Sequence, residues 1–359
     1  MDKFWVGLSS IESLGSKFIL DLYTHFDNIE KAFYATSKEL EQIEGLSIKK
    51  AEKFLNLRDK IDLDRVYDYV ISNNIAILSF ENPKYPQMLK EIANPPAVLY
   101  VKGDLDSCNL NKTVAVVGSR KASFNGKESL KLVLKDLANT DICIVSGLAS
   151  GIDTTAHYSA IENNLKTIGV IASGFDYVYP ESNRELYKMI ETGAGAIISE
   201  YYPTFEPLKF RFPERNRIVT GLSYGTLVVE AALKSGALIS ANLTLEQNRE
   251  LMCIPGLISN PNTKGIYNLI KNGATIVTEG EDILNALNWE VKLPEQMSLN
   301  FDVSEEEQKI LESIEIEPKG FDNIQQETNI DTDKLLMCLT TLDLKGIIKQ
   351  VEGDRYQKV

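Results

Sequence analysis

Basic residues are the minority charge in this chain: 38 lysines and arginines stand against 51 aspartates and glutamates, a formal charge of −13. That excludes a protein coated in cations. It leaves room for a local basic patch, to which acidic surroundings would confine contact with a polyanion. Cysteine is scarce, and Cys108, Cys143, Cys253 and Cys338 fall at no paired spacing, so neither a zinc ribbon nor a Cys-x-x-Cys redox motif is present. Cys143 and Cys253 sit inside apolar strand-like runs and read as small core residues of a protein kept in a reducing compartment. The two histidines, His25 and His157, join no repeated His/Asp/Glu spacing, so no metal is expected, and no serine or cysteine elbow accompanies them. No uncharged apolar run approaches the ~18 residues of a membrane span. The opening residues Met1 to Trp5 carry no basic stretch followed by an apolar core. A cytoplasmic protein without a membrane segment is expected. A glycine-rich dinucleotide fingerprint is also missing, because Gly118 is followed by Ser119-Arg120, and no cofactor is expected.

What is present centres on Thr113 to Thr155. Val114 to Val117 is an apolar run that passes into Gly118-Ser119-Arg120, and a helical pattern follows through Leu130, Val133, Leu134 and Leu137. A second apolar run, Ile142 to Val145, breaks into Ser146-Gly147-Leu148-Ala149-Ser150-Gly151-Ile152-Asp153. Strand, loop, helix, strand, loop is a crossover unit, and both loops leave the strand ends at which open α/β sheets bind ligands. Small residues such as Ser146, Gly147 and Gly151 let backbone N–H groups approach an anion, helix starts add the favourable dipole end, and Arg120 adds a forked cation. The alternative for Arg120 is an ion pair with Asp153. Strand-like runs recur at 167–172, 196–199, 226–229, 251–254 and 274–277, separated by helical patterns that include 181–191, 240–249 and 264–271. This alternation predicts an α/β fold: an extended Rossmann-like, mostly parallel sheet with helices on both faces, over about residues 71–290.

Flanking units are expected on either side. Residues 1–70 read as a helical domain, in which Leu40 to Leu55 resembles a helix-hairpin-helix with Ser47 standing where that motif has its second glycine; a packing or partner-contact role is favoured. After a polar linker near 290–302, residues 303–359 read as three helices and a hairpin, a winged-helix-like domain. Asp331-Thr332-Asp333 can cap the helix that would read DNA, yet that helix carries Asp331, Asp333 and Asp343 against Lys334 and Lys345. A helix entering a groove lined with phosphates should not be negative, so protein contact or regulation is favoured there.

The sharpest local signal is Lys209-Phe210-Arg211-Phe212-Pro213-Glu214-Arg215-Asn216-Arg217, four cations and two aromatics in an otherwise acidic chain. Cations track a phosphate backbone while an exposed ring stacks on an unpaired base, a combination suited to single strands. The competing reading puts Phe210 and Phe212 in the core and pairs Arg217 with a carboxylate such as Glu230.

Ordered blocks of residues carry a family resemblance. Val117-Gly118-Ser119-Arg120, the run from Ser146 to His157, Gly174 to Pro180, Phe212 to Ile218, Val229-Glu230-Ala231-Ala232 and Pro255-Gly256 together resemble the DprA/Smf family of DNA-processing proteins, over roughly residues 80 to 285. The resemblance implies a non-enzymatic single-stranded DNA-binding protein that protects incoming strands during natural transformation and helps load the RecA recombinase. It also implies a homodimer formed through the Rossmann-like domain, with helices near Ser240 to Glu250 and Lys264 to Lys271 as candidate contacts. It assigns Lys209 and Arg211 to phosphate, Phe212 to a base, and Arg215, Asn216 and Arg217 to further contacts or to shaping the pocket. The rival reading is a nucleotide-binding or nucleoside-monophosphate-processing enzyme, since Gly225-Thr226 followed by Glu230 is similar to the phosphoribohydrolase pattern. Tyr224 replaces the first glycine of that pattern and Glu230 lies one residue further along, which disfavours hydrolysis. His157 is expected to be structural.

Overall fold

The computed structural model describes residues 1–290, 304–314, 318–345, 347–351 and 354–358. The expected linker near 290–302, apart from residue 290, lies outside them. The chain divides into two compact units, Met1–Pro294 and Glu295–Val359.

The first unit is built on nine strands: β1 Ala76–Ser79, β2 Val98–Gly103, β3 Thr113–Val117, β4 Cys143–Ser146, β5 Lys166–Val170, β6 Gly195–Ser199, β7 Gly225–Val228, β8 Glu250–Cys253 and β9 Thr275–Ile276. Their order across the sheet is β1-β2-β6-β5-β4-β3-β7-β8-β9, with only the β1–β2 and β2–β6 pairs antiparallel. Side chains of successive residues point to opposite faces. Val114 and Val116 accordingly pack with Leu130, Leu134, Ile152 and Ala156 of two crossover helices, Phe124–Asp136 and Ile152–Glu162. Ala115 and Val117 meet Ile218, Leu222, Ala237 and Ala241 from helices Arg211–Gly221 and Gly236–Glu246 on the other face. Every strand expected from the sequence is found, within a residue or three of its expected ends.

Two helices depart from the sequence reading. Arg211–Gly221 was not expected as a helix, because its polar, cation-rich start hides the apolar stripe of Ile218, Val219 and Leu222. The helix expected at 240–249 begins at Gly236, because the Ser235 hydroxyl accepts from the Ala237 N–H at 3.2 Å and nucleates it four residues early.

The N-terminal helices do not form a separate body. Trp5, Leu8, Leu22, Phe33 and Phe54 share one core with Val98 and Tyr100 of β2, and the Tyr100 hydroxyl hydrogen-bonds Ser9 Oγ at 2.5 Å. The expected boundary near residue 70 therefore falls inside the first unit. Helices elsewhere cover the sheet as crossovers; over β2 the N-terminal layer does so instead.

The second unit holds helices Glu305–Ser313, Phe321–Thr328 and Thr332–Leu344 and a small sheet in the order β10-β12-β11, with β10 Lys319–Gly320, β11 Ile348–Val351 and β12 Arg355–Lys358. Ile310, Ile324, Leu335, Leu339, Ile348 and Tyr356 form its core. Asp331 caps the third helix, accepting from the Asp333 N–H at 3.2 Å. This is a winged helix-turn-helix with one more short strand than the sequence signalled.

Candidate nucleic-acid interface

Strand order reverses at the β3–β7 pair: the chain leaves β3 towards β4 on one side and leaves β7 towards β8 on the other. Loops diverging from such a point leave a crevice at the carboxyl ends of the strands. Here the crevice is a cleft of about 740 Å³.

One rim is the β3 loop, Gly118 to Lys121. It nests against the β4 loop because two residues lack a side chain: a Cβ on Gly118 would lie 2.6 Å from Ile152 Cγ1, and one on Gly151, at φ +84°, would strike the Ser119 carbonyl. The Ile152 N–H donates to that carbonyl at 3.2 Å. Ser119 Oγ accepts from the Lys121 N–H at 3.1 Å, which tightens the turn. Across the cleft, Asn262 Nδ2 donates to the Lys121 carbonyl at 3.1 Å.

The second rim is the start of the Arg211–Gly221 helix. Residues 212 and 216, one turn apart, face the cleft together with Lys209, which precedes the helix. The exposed Arg120 guanidinium lies 5.2 Å from the centre of the Phe212 ring, and Tyr179 meets the same ring edge-on at 5.3 Å. Phe212 thus contacts both a cation and an aromatic, is half-buried, and lines the cleft. Arg120, Lys121 and Lys209 all line this space, and none takes part in a salt bridge among the described residues. The Arg120–Asp153 ion pair weighed from the sequence is not formed.

Several expected contacts lie elsewhere. Ser146 is buried and donates to the Val116 carbonyl at 2.7 Å. The N–H groups of Gly147 and Ala149, the natural anion donors of the β4 loop, are already held by the Asp153 carboxylate at 3.2 and 3.3 Å. Burial pushes the Asp153 carboxyl above the usual range, against the pull of Arg215, those two N–H groups and Arg120. Gly147 is small because the Arg215 guanidinium occupies the space a Cβ would need. Arg215 forms the floor of the cleft: it is buried, donates to the Val170 carbonyl at 2.5 Å, and places its charge beneath the surface. Ser146, Gly147 and Gly151 therefore shape the loop and do not face the cleft.

Arg211 and Arg217 project from the opposite side of their helix. Arg211 is 2% exposed, donates to the Glu206 carbonyl at 2.5 Å, pairs with Glu12 at 2.6 Å, and has its guanidinium 4.7 Å from the Tyr201 ring centre. Arg217 pairs with Glu200 at 2.6 Å, and not with Glu230. A run of cations read as a line becomes, on a helix, two faces. Phe210, expected on the competing reading to be a core residue, is exposed.

The residues of the rival reading are otherwise engaged. Glu230 is buried, and its oxygens accept from the Ser123 N–H and hydroxyl and from Asn260 Nδ2 at 2.5–3.0 Å. It anchors the start of the Phe124–Asp136 helix. His157 is fully buried against Thr167, Nδ1 to Oγ1 2.7 Å, and burial with the nearby Arg215 pushes its pKa down to about 3, so it is neutral. No cluster of His, Cys, Asp and Glu suited to a metal occurs among the described residues, and no helix among them is long and apolar enough to cross a membrane. Sequence reasoning missed Lys121, Tyr179, Asn262 and Ser235 to Ala237 on the cleft wall; the first adjoins Arg120 and the second lies in the Gly174 to Pro180 block, but only the fold brings them together.

Comparison with known proteins matches residues 76–288 to the family model described as DNA recombination-mediator protein A, and residues 294–354 to the DprA winged helix domain. Protein Smf of Escherichia coli K12 is 33% identical over 98% of this chain and 94% of its own length. The DNA processing protein DprA of Streptococcus pneumoniae is 46% identical over 56% of this chain and 70% of its own. Among solved structures, the X-ray structure of the S. pneumoniae DprA covers 80% of this chain and 97% of that one, with TM-score 0.69 and 36% identity. A Helicobacter pylori DprA structure, described as giving insight into a single-stranded DNA binding mode, covers 60% of this chain and 97% of that one, with TM-score 0.54 and 28% identity.

Proposed function

The chain belongs to the DNA recombination-mediator protein A family, also called DprA/Smf, and from that premise we propose that its cleft binds single-stranded DNA. The observation that carries the reading is that one cleft is lined by the half-buried ring of Phe212 and by three cations, Arg120, Lys121 and Lys209, that form no salt bridge among the described residues. Cations of this kind capture successive phosphates, and the ring stacks on a base that duplex DNA would hide. Arg215 adds buried positive charge beneath the phosphate path, and Asn216 offers an amide that both donates and accepts. The single-strand description of the H. pylori relative supports the reading.

In the cell, the protein shields incoming single strands during natural transformation and helps load RecA onto them, acting in the cytoplasm as a homodimer and not as an enzyme. The test of binding is the affinity of the full chain for matched single-stranded and double-stranded oligonucleotides. The single strand is expected to win clearly. Equal affinity, or a preference for duplex, would overturn the assignment of Phe212 to an unpaired base.

A further inference from the structure

The β4 loop is shaped to hold an anion, and it already holds one of the chain's own. Leu148 stands at φ +54° between Gly147 and Ala149, a left-handed conformation that gathers neighbouring N–H groups into one concavity. Asn183 Nδ2 fixes the Leu148 carbonyl at 2.9 Å, and the Thr154 N–H and hydroxyl fix the Ala149 carbonyl at 3.1 and 2.8 Å. The occupant is Asp153, whose Oδ2 takes both the Gly147 and the Ala149 N–H groups. Asp153 is 8% exposed and lines the cleft with Ala149, Arg120 and Phe212. Its second oxygen, Oδ1, accepts no hydrogen bond among the described residues and is not closed off from solvent.

A phosphate that meets Arg120 therefore does so beside a fixed negative charge, one that both Arg215 and Arg120 attract. What that neighbour costs depends on the phosphate. A phosphodiester inside a strand carries one negative charge, whereas the monoester of a free nucleotide carries about 1.5 to 2 at neutral pH. Cations alone would favour the monoester, and a fixed carboxylate repels it more. The loop N–H groups that could offset its extra charge are held by Oδ2. Free nucleotides offer Phe212 the same base that a strand does, so a strand binder gains from refusing them.

We propose that Asp153 is a specificity-determining residue of the cleft: by seating its own carboxylate in the β4 loop, it admits the phosphodiesters of a strand and turns away the monoester of a free nucleotide. The inference rests on the single-strand reading of the cleft. Full-length wild type and Asp153→Asn are titrated directly with thymidine 5′-monophosphate, with the methyl ester of that phosphate, and separately with an oligothymidylate. Asparagine keeps an oxygen for the loop N–H groups and removes the charge. Wild type should bind the methyl ester more tightly than the monoester, against the order that attraction to the cations alone would give. Asp153→Asn should move the ratio of the two affinities about tenfold towards the monoester. Asp153→Ser, also neutral with an acceptor oxygen, takes its place if Asp153→Asn does not fold, and the wild-type comparison needs no variant. A wild type that binds the monoester as tightly as the methyl ester or more so, or a ratio unmoved by loss of the charge, would overturn the inference; binding of neither compound by either protein counts against it equally. Oligothymidylate binding without discrimination between the two esters removes this inference alone. Discrimination without oligothymidylate binding removes the single-strand reading instead.

Discussion

At the scale of single residues, similar side chains a few positions apart do opposite things because their burial differs. Arg120 is exposed and in no salt bridge among the described residues, Arg215 is buried and bonded to a carbonyl, and Arg217 is locked to Glu200. Phe212→Ala should weaken single-strand binding by about 1–3 kcal/mol, the range for one base–aromatic stack, with its salt dependence retained; oligonucleotide titration at two salt concentrations checks this. His157 makes a separate prediction. Its folded pKa is depressed to about 3 by burial and by Arg215, whereas the unfolded side chain titrates near the ordinary value of about 6.5. Between those values the unfolded chain binds a proton that the folded chain refuses. Stability contributed by the neutral ring is complete above about pH 6.5 and is lost as pH falls towards 3, by up to about 1.4 kcal/mol per unit. Denaturant midpoints measured at pH 7 and pH 5.5 should show a smaller pH difference in His157→Asn than in wild type. Trp5 is fully buried between the N-terminal helices and β2, and Trp5→Ala should cost about 3–5 kcal/mol in thermal or denaturant unfolding.

At the scale of elements, the Arg211–Gly221 helix divides the molecule's polar chemistry, with the cleft on one face and the Glu200 and Glu12 ion pairs on the other. Arg217→Ala should leave Glu200 buried without its cation and cost about 3–5 kcal/mol of stability while leaving the salt slope of DNA binding unchanged. Lys209→Ala should do the reverse. Parallel unfolding curves and salt titrations of the two variants check the contrast. This helix also explains what could be read in advance. The strands were legible, because Val114 to Val117, Ile142 to Val145 and Leu251 to Ile254 are β-rich apolar runs bounded by small or polar residues, and the crevice between diverging loops follows from their alternation. Cations at Arg120 and Lys209 and the ring at Phe212 were legible as residue types. Which of Arg211, Arg215 and Arg217 reach solvent was not, because that depends on helix phase, and the stretch carries no apolar periodicity until Ile218. The capture of the Gly147 and Ala149 N–H groups by Asp153 was equally hidden, since a glycine-rich loop looks the same whether its donors are spent or free.

At the scale of the whole molecule, an acidic chain gathers three cations without ion pairs among the described residues at one crevice, and the surrounding negative charge discourages non-specific contact with polyanions. The second unit follows the same economy. Lys334 on its third helix pairs with Glu306 at 2.6 Å and Lys345, just beyond it, with Glu307 at 3.0 Å, while Leu336 and Met337 are exposed. That surface suits a protein partner better than a phosphate-lined groove. A chain ending at residue 290 should therefore keep its single-strand affinity, and filter binding of the full and shortened proteins checks this. The most direct test of the whole account is the salt dependence of single-strand affinity for wild type and Arg120→Ala. A steep wild-type dependence is expected, flattened in Arg120→Ala by about 0.7 in the logarithmic slope for each phosphate the arginine had neutralised. A wild-type affinity indifferent to salt, or a slope unchanged by Arg120→Ala, would contradict it.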